Sequence, residues 1–343
     1  MMAFHFIMME EGIEYDIPTT IKPKILSISN KKGFVKFIEL PFLALKIRKY
    51  IRENNIDTVM SFLYRPNYLN LLAKLFGSHH KAIINIRSTT SRYKKEGLSG
   101  KINLFLIKAL FNKADLIISN SRGVENDLKK LLPITTNTKV IYNPIDKEYI
   151  DIKKDICQDI SFYFNKVNKY IISIGRLIPL KRNLDLITAF YKLQEKDKNL
   201  KLIFLGDGIL KDGLIKNCKS LNLEDKVYFL GNVSNPFYYL NKADLFVLTS
   251  ETEGFPNVLV EAMTCGIPVI SSDCKSGPRE ILNNEEYGLL YPVGDINILI
   301  EKMNYYLYKN KDIEKIKNKN LERIKEFNIK KIMRKFKEVL EVE

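Results

Sequence analysis

The order of apolar runs in this sequence predicts an α/β protein built from two doubly wound parallel sheets. Three observations carry that reading. Short runs rich in Ile, Val, Leu and Phe alternate with longer amphipathic segments, as strands and crossover helices do when both faces of a parallel sheet are covered. Several of these runs lead into polar or glycine-bearing loops, among them 87–92, 175–182, 206–208 and 250–256. A charged, weakly patterned stretch at 147–168 divides the 343 residues into two series, read as domains 1–150 and 151–343.

In chain order, 4–9 reads as a strand and 10–18 as a turn. Residues 34–53 have apolar side chains at three and four spacing with Lys and Arg between them, an amphipathic helix in which Pro41 marks a kink or the true start. Its basic face suits a membrane surface, and its apolar face suits packing on a sheet. A strand at 58–62 follows, then the strand-to-helix loop 64–67 with Arg65, and a helix at 67–76 ended by Gly77. The strand 81–86 leads into a polar loop that opens with Arg87 and Ser88. A helix at 101–113, a strand at 114–119, a helix at 124–132 and a strand at 139–142 complete the first half.

The second half restarts with a strand at 170–174, followed by Gly175 and Arg176, with Lys181 five residues on. Glycine lets a backbone or ligand approach closely. Arg offers a fork and Lys a compact charge to a diphosphate. Strands at 201–205 and 227–230 end in Gly206-Asp207-Gly208 and in Gly231-Asn232-Val233. The strand 244–248 precedes the loop of Glu251 and Glu253, where Gly254 eases the turn and Pro256 suits a first helical turn. The helix runs over about 257–265 and carries Glu261 about two turns in. Its N-terminus offers free N–H groups and a positive dipole end to an anion. A strand at 269–272, a short one at 288–290 and helices at 296–308, 311–326 and 328–341 finish the chain.

The sequence carries a net charge of +15, and residues 1–165 hold 26 Lys/Arg against 16 Asp/Glu. A basic half suggests an anionic partner: an anionic membrane face or a lipid diphosphate. No nucleic-acid-reading motif is visible. No apolar run reaches membrane-spanning length. Residues 1–11 run into Glu10 and Glu11 and make a poor secretory signal. Cys157, Cys218, Cys265 and Cys274 show no CxxC spacing and read as reduced thiols of a cytosolic protein. His5, at the start, and His79-His80, in an expected surface loop, are poor candidates for a catalytic base.

The stretch Glu253-Gly-Phe-Pro-Asn-Val-Leu-Val-Glu261-Ala-Met resembles the donor-site signature of retaining glycosyltransferases of the GT-B fold, family 4. That resemblance implies two Rossmann-like domains facing a cleft. It implies that Glu253 meets the donor sugar, Glu261 the ribose, and Arg176 and Lys181 the diphosphate. Gly175, Gly206, Gly208, Asn232, Val233, Gly254, Phe255, Pro256, Asn257 and Val258 would then surround the nucleotide sugar. Arg65, Arg87 and Ser88 become acceptor-side candidates, and the last helix, 328–341, would cross back to the first domain. By the same resemblance the chain starts at the second strand of its first domain, without the first strand, Gly-rich loop and helix.

A narrower set of pieces is similar to transferases of bacterial N-linked protein glycosylation. These are Leu40-Pro-Phe-Leu-Ala-Leu-Lys46, Arg65-Pro-Asn-Tyr68, Ala114-Asp-Leu-Ile117 with Asn120-Ser121, Gly208-Ile-Leu-Lys-Asp212 and Lys275-Ser-Gly277. They imply transfer of N-acetylgalactosamine in α-1,4 linkage from a UDP-sugar to an undecaprenyl-diphosphate-linked glycan, at the inner face of the cytoplasmic membrane. No Asp-x-Asp-type metal motif stands out, so no metal or other cofactor is expected. Capsule or lipopolysaccharide transfer with another donor, an inactive UDP-binding remnant and a nucleotide-sugar epimerase of the same fold stay open as alternatives.

Overall fold

The computed structural model describes residues 5–8, 24–25, 35–157, 162, 164–309 and 312–341. They fall into two compact units: residues 1–119 with 125–140, and residues 120–124 with 141–343. The expected turn at 10–18 lies outside the described residues.

In the first unit, β1 (Ile7–Met8) and β2 (Lys24–Ile25) form a small parallel pair. The main sheet is parallel, in the order β3 (Thr58–Phe62), β4 (Lys81–Ile86), β5 (Leu116–Ser119), β6 (Thr138–Val140). The expected helix over 34–53 is divided into α1 (Val35–Ile38) and α2 (Leu40–Glu53). Pro41 occupies the first turn of α2, where its missing N–H has no intrahelical partner to lose. Leu40, Leu43, Ala44, Ile47 and Ile51 form the buried stripe of α2.

The loop expected at 64–67 is not a loop. Helix α3 (Tyr64–Leu75) starts directly after β3, because Leu63 makes the whole turn alone, with φ 72° and ψ 160°. Helix α4 (Gly97–Leu110) runs into a 3-10 turn at Phe111–Lys113, and α5 is Arg122–Leu131.

The second unit is a six-stranded parallel sheet in the order β12-β11-β10-β7-β8-β9. The strands are β7 (Lys169–Ile174), β8 (Leu200–Leu205), β9 (Val227–Gly231), β10 (Leu245–Leu248), β11 (Val269–Ser272) and β12 (Leu289–Tyr291). Both faces are covered. Tyr170, Ile172, Ile203 and Phe246 face one core with Leu259 and Met263, and Ile171, Leu202, Leu245 and Val247 face the other with Phe190 and Leu299. That alternation is the period-two pleat of the strands. Between the strands lie α7 (Asn183–Gln194), α8 (Lys211–Ser220), α9 (Pro236–Lys242), α10 (Asn257–Thr264) and the short α11 (Pro278–Ile281). After β12 come α12 (Ile296–Asn304), α13 (Ile313–Arg323) and α14 (Ile329–Glu341).

The division of the chain falls earlier than 150, at Val140/Ile141. Residues 147–153, expected in the linker, form α6 (Lys147–Lys153), capped by the Asp146 carboxylate on the Tyr149 N–H at 3.0 Å. Ile145 and Ile150 enter the core of the second unit, and Ile145 exchanges backbone hydrogen bonds with Phe327 and Ile329. Phe164 packs against Tyr170 with ring centroids 4.7 Å apart.

Candidate functional site

Strand order locates the site in the second unit. The chain lays β7, β8 and β9 outward in one direction and then returns to the other side of β7 with β10. At such a reversal the loops after the two central strands leave the sheet side by side, and open α/β sheets bind ligands there. These are the loops of Gly175–Lys181 and Ser250–Pro256.

The two loops are joined. The Glu251 N–H donates to the Leu180 carbonyl at 2.8 Å, and the Thr249 hydroxyl to the Lys181 carbonyl at 2.6 Å. The Lys181 ammonium donates to Glu253 Oε1 at 2.6 Å, and the Ser250 hydroxyl donates to the same oxygen at 2.6 Å. Both charged side chains are mostly covered, at 21% and 13% exposure, so the pair is less screened than a surface pair. Arg176 is exposed, and among the described residues its guanidinium has no hydrogen-bond or ion-pair partner. A fixed pair and a free cation therefore stand at one sheet edge.

The neighbouring turns press close. Gly175 donates to the Leu205 carbonyl at 2.9 Å, and Gly206 to that of Gly231 at 2.7 Å. Gly206 has φ +125°, and a Cβ there would stand 2.2 Å from the Gly175 carbonyl oxygen, so only glycine fits. Gly208 donates to the Asp207 carboxylate at 2.7 Å, which with Lys211 holds that exposed acid's pKa below its ordinary value. Asn232 is exposed, and Val233 leans on the core.

On the other side, Gly254 and Pro256 are buried and lead into α10. The Gly254 carbonyl accepts from the Ser121 hydroxyl at 2.9 Å. Phe255 is a core side chain, stacked on Tyr142 at 5.6 Å and edge-on to Phe327 at 5.3 Å. What it can offer a ligand is its backbone at the helix start. Asn257 is exposed and accepts from the Asn143 amide at 2.7 Å, while Val258 packs on the core.

Glu261 sits nearer the helix start than expected. With α10 beginning at Asn257 it lies little more than one turn in, not two. Its carboxylate has no hydrogen-bond or ion-pair partner among the described residues, and burial pushes its pKa up to about 7. A half-buried acid without a partner among the described residues is suited to accept from ligand hydroxyls.

Several contributors carry no motif of their own. The Ser276 hydroxyl holds the Glu253 carbonyl. The Glu280 carboxylate accepts from the Arg122 N–H at 2.9 Å, the Gly123 N–H at 3.4 Å and the Tyr142 hydroxyl at 2.7 Å, an anion seated on the N-terminus of α5. Only tertiary placement reveals these partners.

In the first unit, Arg65, Arg87 and Ser88 gather where β3 and β4 end. Arg65 stands 3.6 Å from Glu39. The Arg87 guanidinium lies over the Phe62 ring at 5.0 Å, and burial lowers its pKa. The Ser88 carbonyl accepts from the Tyr64 hydroxyl at 3.1 Å. The expectation that His79 and His80 are a solvated pair fails for His80. It is 6% exposed, accepts from Ser78 Oγ at 2.7 Å and donates to Asn70 Oδ1 at 2.8 Å, and burial drives its pKa down to about 4. It is a neutral structural histidine.

Comparison with known proteins matches residues 159–323 to the "Glycosyl transferases group 1" model and residues 17–149 to the "Glycosyltransferase Family 4" model. A Campylobacter jejuni enzyme, N-acetylgalactosamine-N,N'-diacetylbacillosaminyl-diphospho-undecaprenol 4-alpha-N-acetylgalactosaminyltransferase, is 40% identical, covering 90% of this chain and 85% of its own. A second from the same organism, an alpha-1,4-N-acetyl-D-galactosaminyltransferase acting on GalNAc-alpha-(1->4)-GalNAc-alpha-(1->3)-diNAcBac-PP-undecaprenol, is 29% identical over 76% of this chain and 68% of its own. Among solved structures, Anabaena HepE in complex with UDP shares the fold with a TM-score of 0.75 at 24% identity, covering 93% of this chain and 85% of the other.

Proposed function

The chain belongs to the group 1, family 4 glycosyltransferases of GT-B fold, and from that premise we propose that it moves N-acetylgalactosamine, in α-1,4 linkage, from a UDP-sugar to a polyprenyl-diphosphate-linked glycan. The observation that carries this reading is the Lys181–Glu253 pair at the reversal of the second sheet, beside the free charge of Arg176 and the N-terminus of α10.

The chemistry follows from where charge develops. As the anomeric bond breaks, negative charge grows on the leaving nucleoside diphosphate. Lys181 and the first N–H groups of α10 meet it from fixed positions, which lowers the barrier more than mobile water does, and the free guanidinium of Arg176 adds its charge. We assign this role to the protein's own cations and propose that no metal is required. Glu253, steadied by Lys181 and Ser250, accepts from donor-sugar hydroxyls, and Glu261 accepts from the ribose. Together they hold the anomeric carbon in place for the acceptor hydroxyl. Retention of anomeric configuration is part of the proposal.

The acceptor's lipid suggests docking on the anionic inner face of the cytoplasmic membrane. No helix among the described residues is long and apolar enough to cross a membrane. Three helices of the first unit do expose apolar side chains among lysines: Ile38 of α1 with Phe42 and Leu45 of α2 beside Lys46 and Lys49, and Leu98 and Phe105 of α4 beside Lys101 and Lys108. Such faces suit an anionic interface.

The deciding experiment is transfer of labelled sugar from UDP-N-acetylgalactosamine to a short polyprenyl-diphosphate disaccharide, with UDP-N-acetylglucosamine alongside. Product from the galacto donor alone supports the full reading. Product from the gluco donor alone keeps the transferase and replaces the sugar, and no product from either donor removes the proposed substrate pair.

A further inference from the structure

The turn between β3 and α3 is made by one residue in a backbone region that is essentially reserved for glycine. Leu63 has φ 72° and ψ 160°. Side-chain packing does not account for it, because the Leu63 side chain is 60% exposed. Phe62 before it is also partly exposed, at 39%, so the end of β3 presents an apolar ledge to solvent.

The strain is held from below by a buried polar network. Asn67, fully buried, accepts from the Ser61 hydroxyl at 2.8 Å and donates to the Asn85 carbonyl at 2.8 Å. Asn70 donates to the Val59 carbonyl at 3.0 Å and accepts from neutral His80, and Asn85 donates to the Ser61 carbonyl at 3.0 Å. On the far side of the turn, buried Tyr64 is bonded to the Ser88 carbonyl and, at 2.8 Å, to Thr90 Oγ1. A strained residue persists only where its surroundings over-determine it, and strain of this kind gathers at ligand-binding edges. This turn lies at the carboxyl end of a parallel strand, the edge where such sheets take ligands, with Arg87 laid over Phe62 beside it.

We infer that Leu63, with Phe62, is an acceptor-contact residue, its side chain meeting the C–H face or N-acetyl methyl of the acceptor sugar. Resting on the glycosyltransferase reading above, this assigns to the ledge the part of specificity that charged groups cannot supply. An N-acetylated sugar has an apolar face and methyl group that an apolar contact recognises, while hydroxyl and phosphate groups are left to the neighbouring polar side chains.

Two variants separate contact from architecture. L63A keeps the strain and removes the ledge. L63G removes both, and glycine adopts the Leu63 conformation freely. Both are expected to raise the acceptor KM at least tenfold, leaving UDP affinity by calorimetry at the wild-type value, and L63G alone is expected to raise the Tm. The acceptors are the short polyprenyl-diphosphate disaccharide and the same disaccharide as a methyl glycoside. An equal rise on both supports the sugar as the contact. A rise confined to the prenyl acceptor overturns that assignment, as does a wild-type acceptor KM in both variants. If wild-type protein transfers no sugar from either UDP donor, the proposed function fails and this inference fails with it. If it transfers and the variants do not differ from it, the inference fails alone.

Discussion

The ligand edges of the two sheets are built by different means. In the second unit the turns are glycines pressed together, a lysine–glutamate pair and a helix start. In the first, one strained leucine does the turning, held by buried amides. Each edge also carries one group held at a cost to stability. On the second sheet it is Glu261, a half-buried carboxylate with no partner among the described residues, and on the first it is Leu63, an exposed side chain on a disfavoured backbone. On the proposed function, the contrast follows the chemistry each edge would hold. A nucleoside diphosphate is recognised by backbone N–H groups and charge, which many sequences supply in the same way. A sugar acceptor differs from others by single hydroxyls and methyls, and side-chain shape has to read them.

The largest expected effect tests the charged edge. Lys181→Ala and Glu253→Gln should each lower kcat by about 10²–10³, the scale of losing a group aimed at developing charge. Because they form one pair at 2.6 Å, the double variant should lose far less than the product of the singles. Rates that multiply, or either single variant with near-normal turnover, would remove the pair from the chemistry.

Glu261 sharpens the comparison through pH. Its folded pKa of about 7 lies above its ordinary 4.5, so the folded state holds a proton that the unfolded state has released. Stability from this group is therefore intact below about pH 4.5, falls as pH rises toward 7 and is flat above, with a total cost of about 3 kcal/mol. Glu261→Gln should recover much of that at pH 8, seen as a higher urea midpoint. The same change should weaken UDP binding and remove its decline below about pH 7, where the wild-type carboxylate protonates. Unchanged UDP affinity at every pH would separate Glu261 from the ribose.

The difference between the edges also explains what the sequence disclosed. Lys181, Glu253 and Gly206 were legible because charge and glycine keep their meaning at fixed offsets from a strand end. The coverage of both sheet faces was likewise foreshadowed by runs such as Tyr170–Ile174, apolar except for Ser173, whose two faces enter two cores. Leu63 was not legible: leucine has no turn propensity, and its conformation is imposed by Asn67 and Tyr64, whose partners at 85, 88 and 90 are remote in sequence. His80 was misread for the same reason, since burial by Ser78 and Asn70 leaves no mark on a His-His pair after a glycine. Glu280 stands on the short α11, and its bond to the Arg122 N–H spans 158 residues, which no local pattern announces.

The network beneath the strained turn should matter next. Asn67→Ala leaves the Ser61 hydroxyl and the Asn85 carbonyl without their partner in a fully buried place, so a loss of about 2–3 kcal/mol is expected in chemical denaturation. In combination with Leu63→Gly the loss should shrink, because a glycine turn no longer needs to be held. Strict additivity would show that the network and the strain are independent.

The smallest effect belongs to the outer faces of the first unit, where no single residue dominates. Phe42 and Phe105 are each about two-thirds exposed, with Lys46, Lys49, Lys101 and Lys108 near them in sequence. Phe42→Glu or Phe105→Glu should each reduce co-sedimentation with vesicles containing anionic lipid by a few-fold, with little change on neutral vesicles. Each replacement removes an apolar insertion and adds one repulsive charge, worth about 1 kcal/mol near such a surface. The UDP affinity of these variants should match wild type, since the proposed donor groups lie in the other unit. Equal binding of wild type to neutral and anionic vesicles would instead assign these faces to another partner and leave the basic excess of the first half without a membrane role.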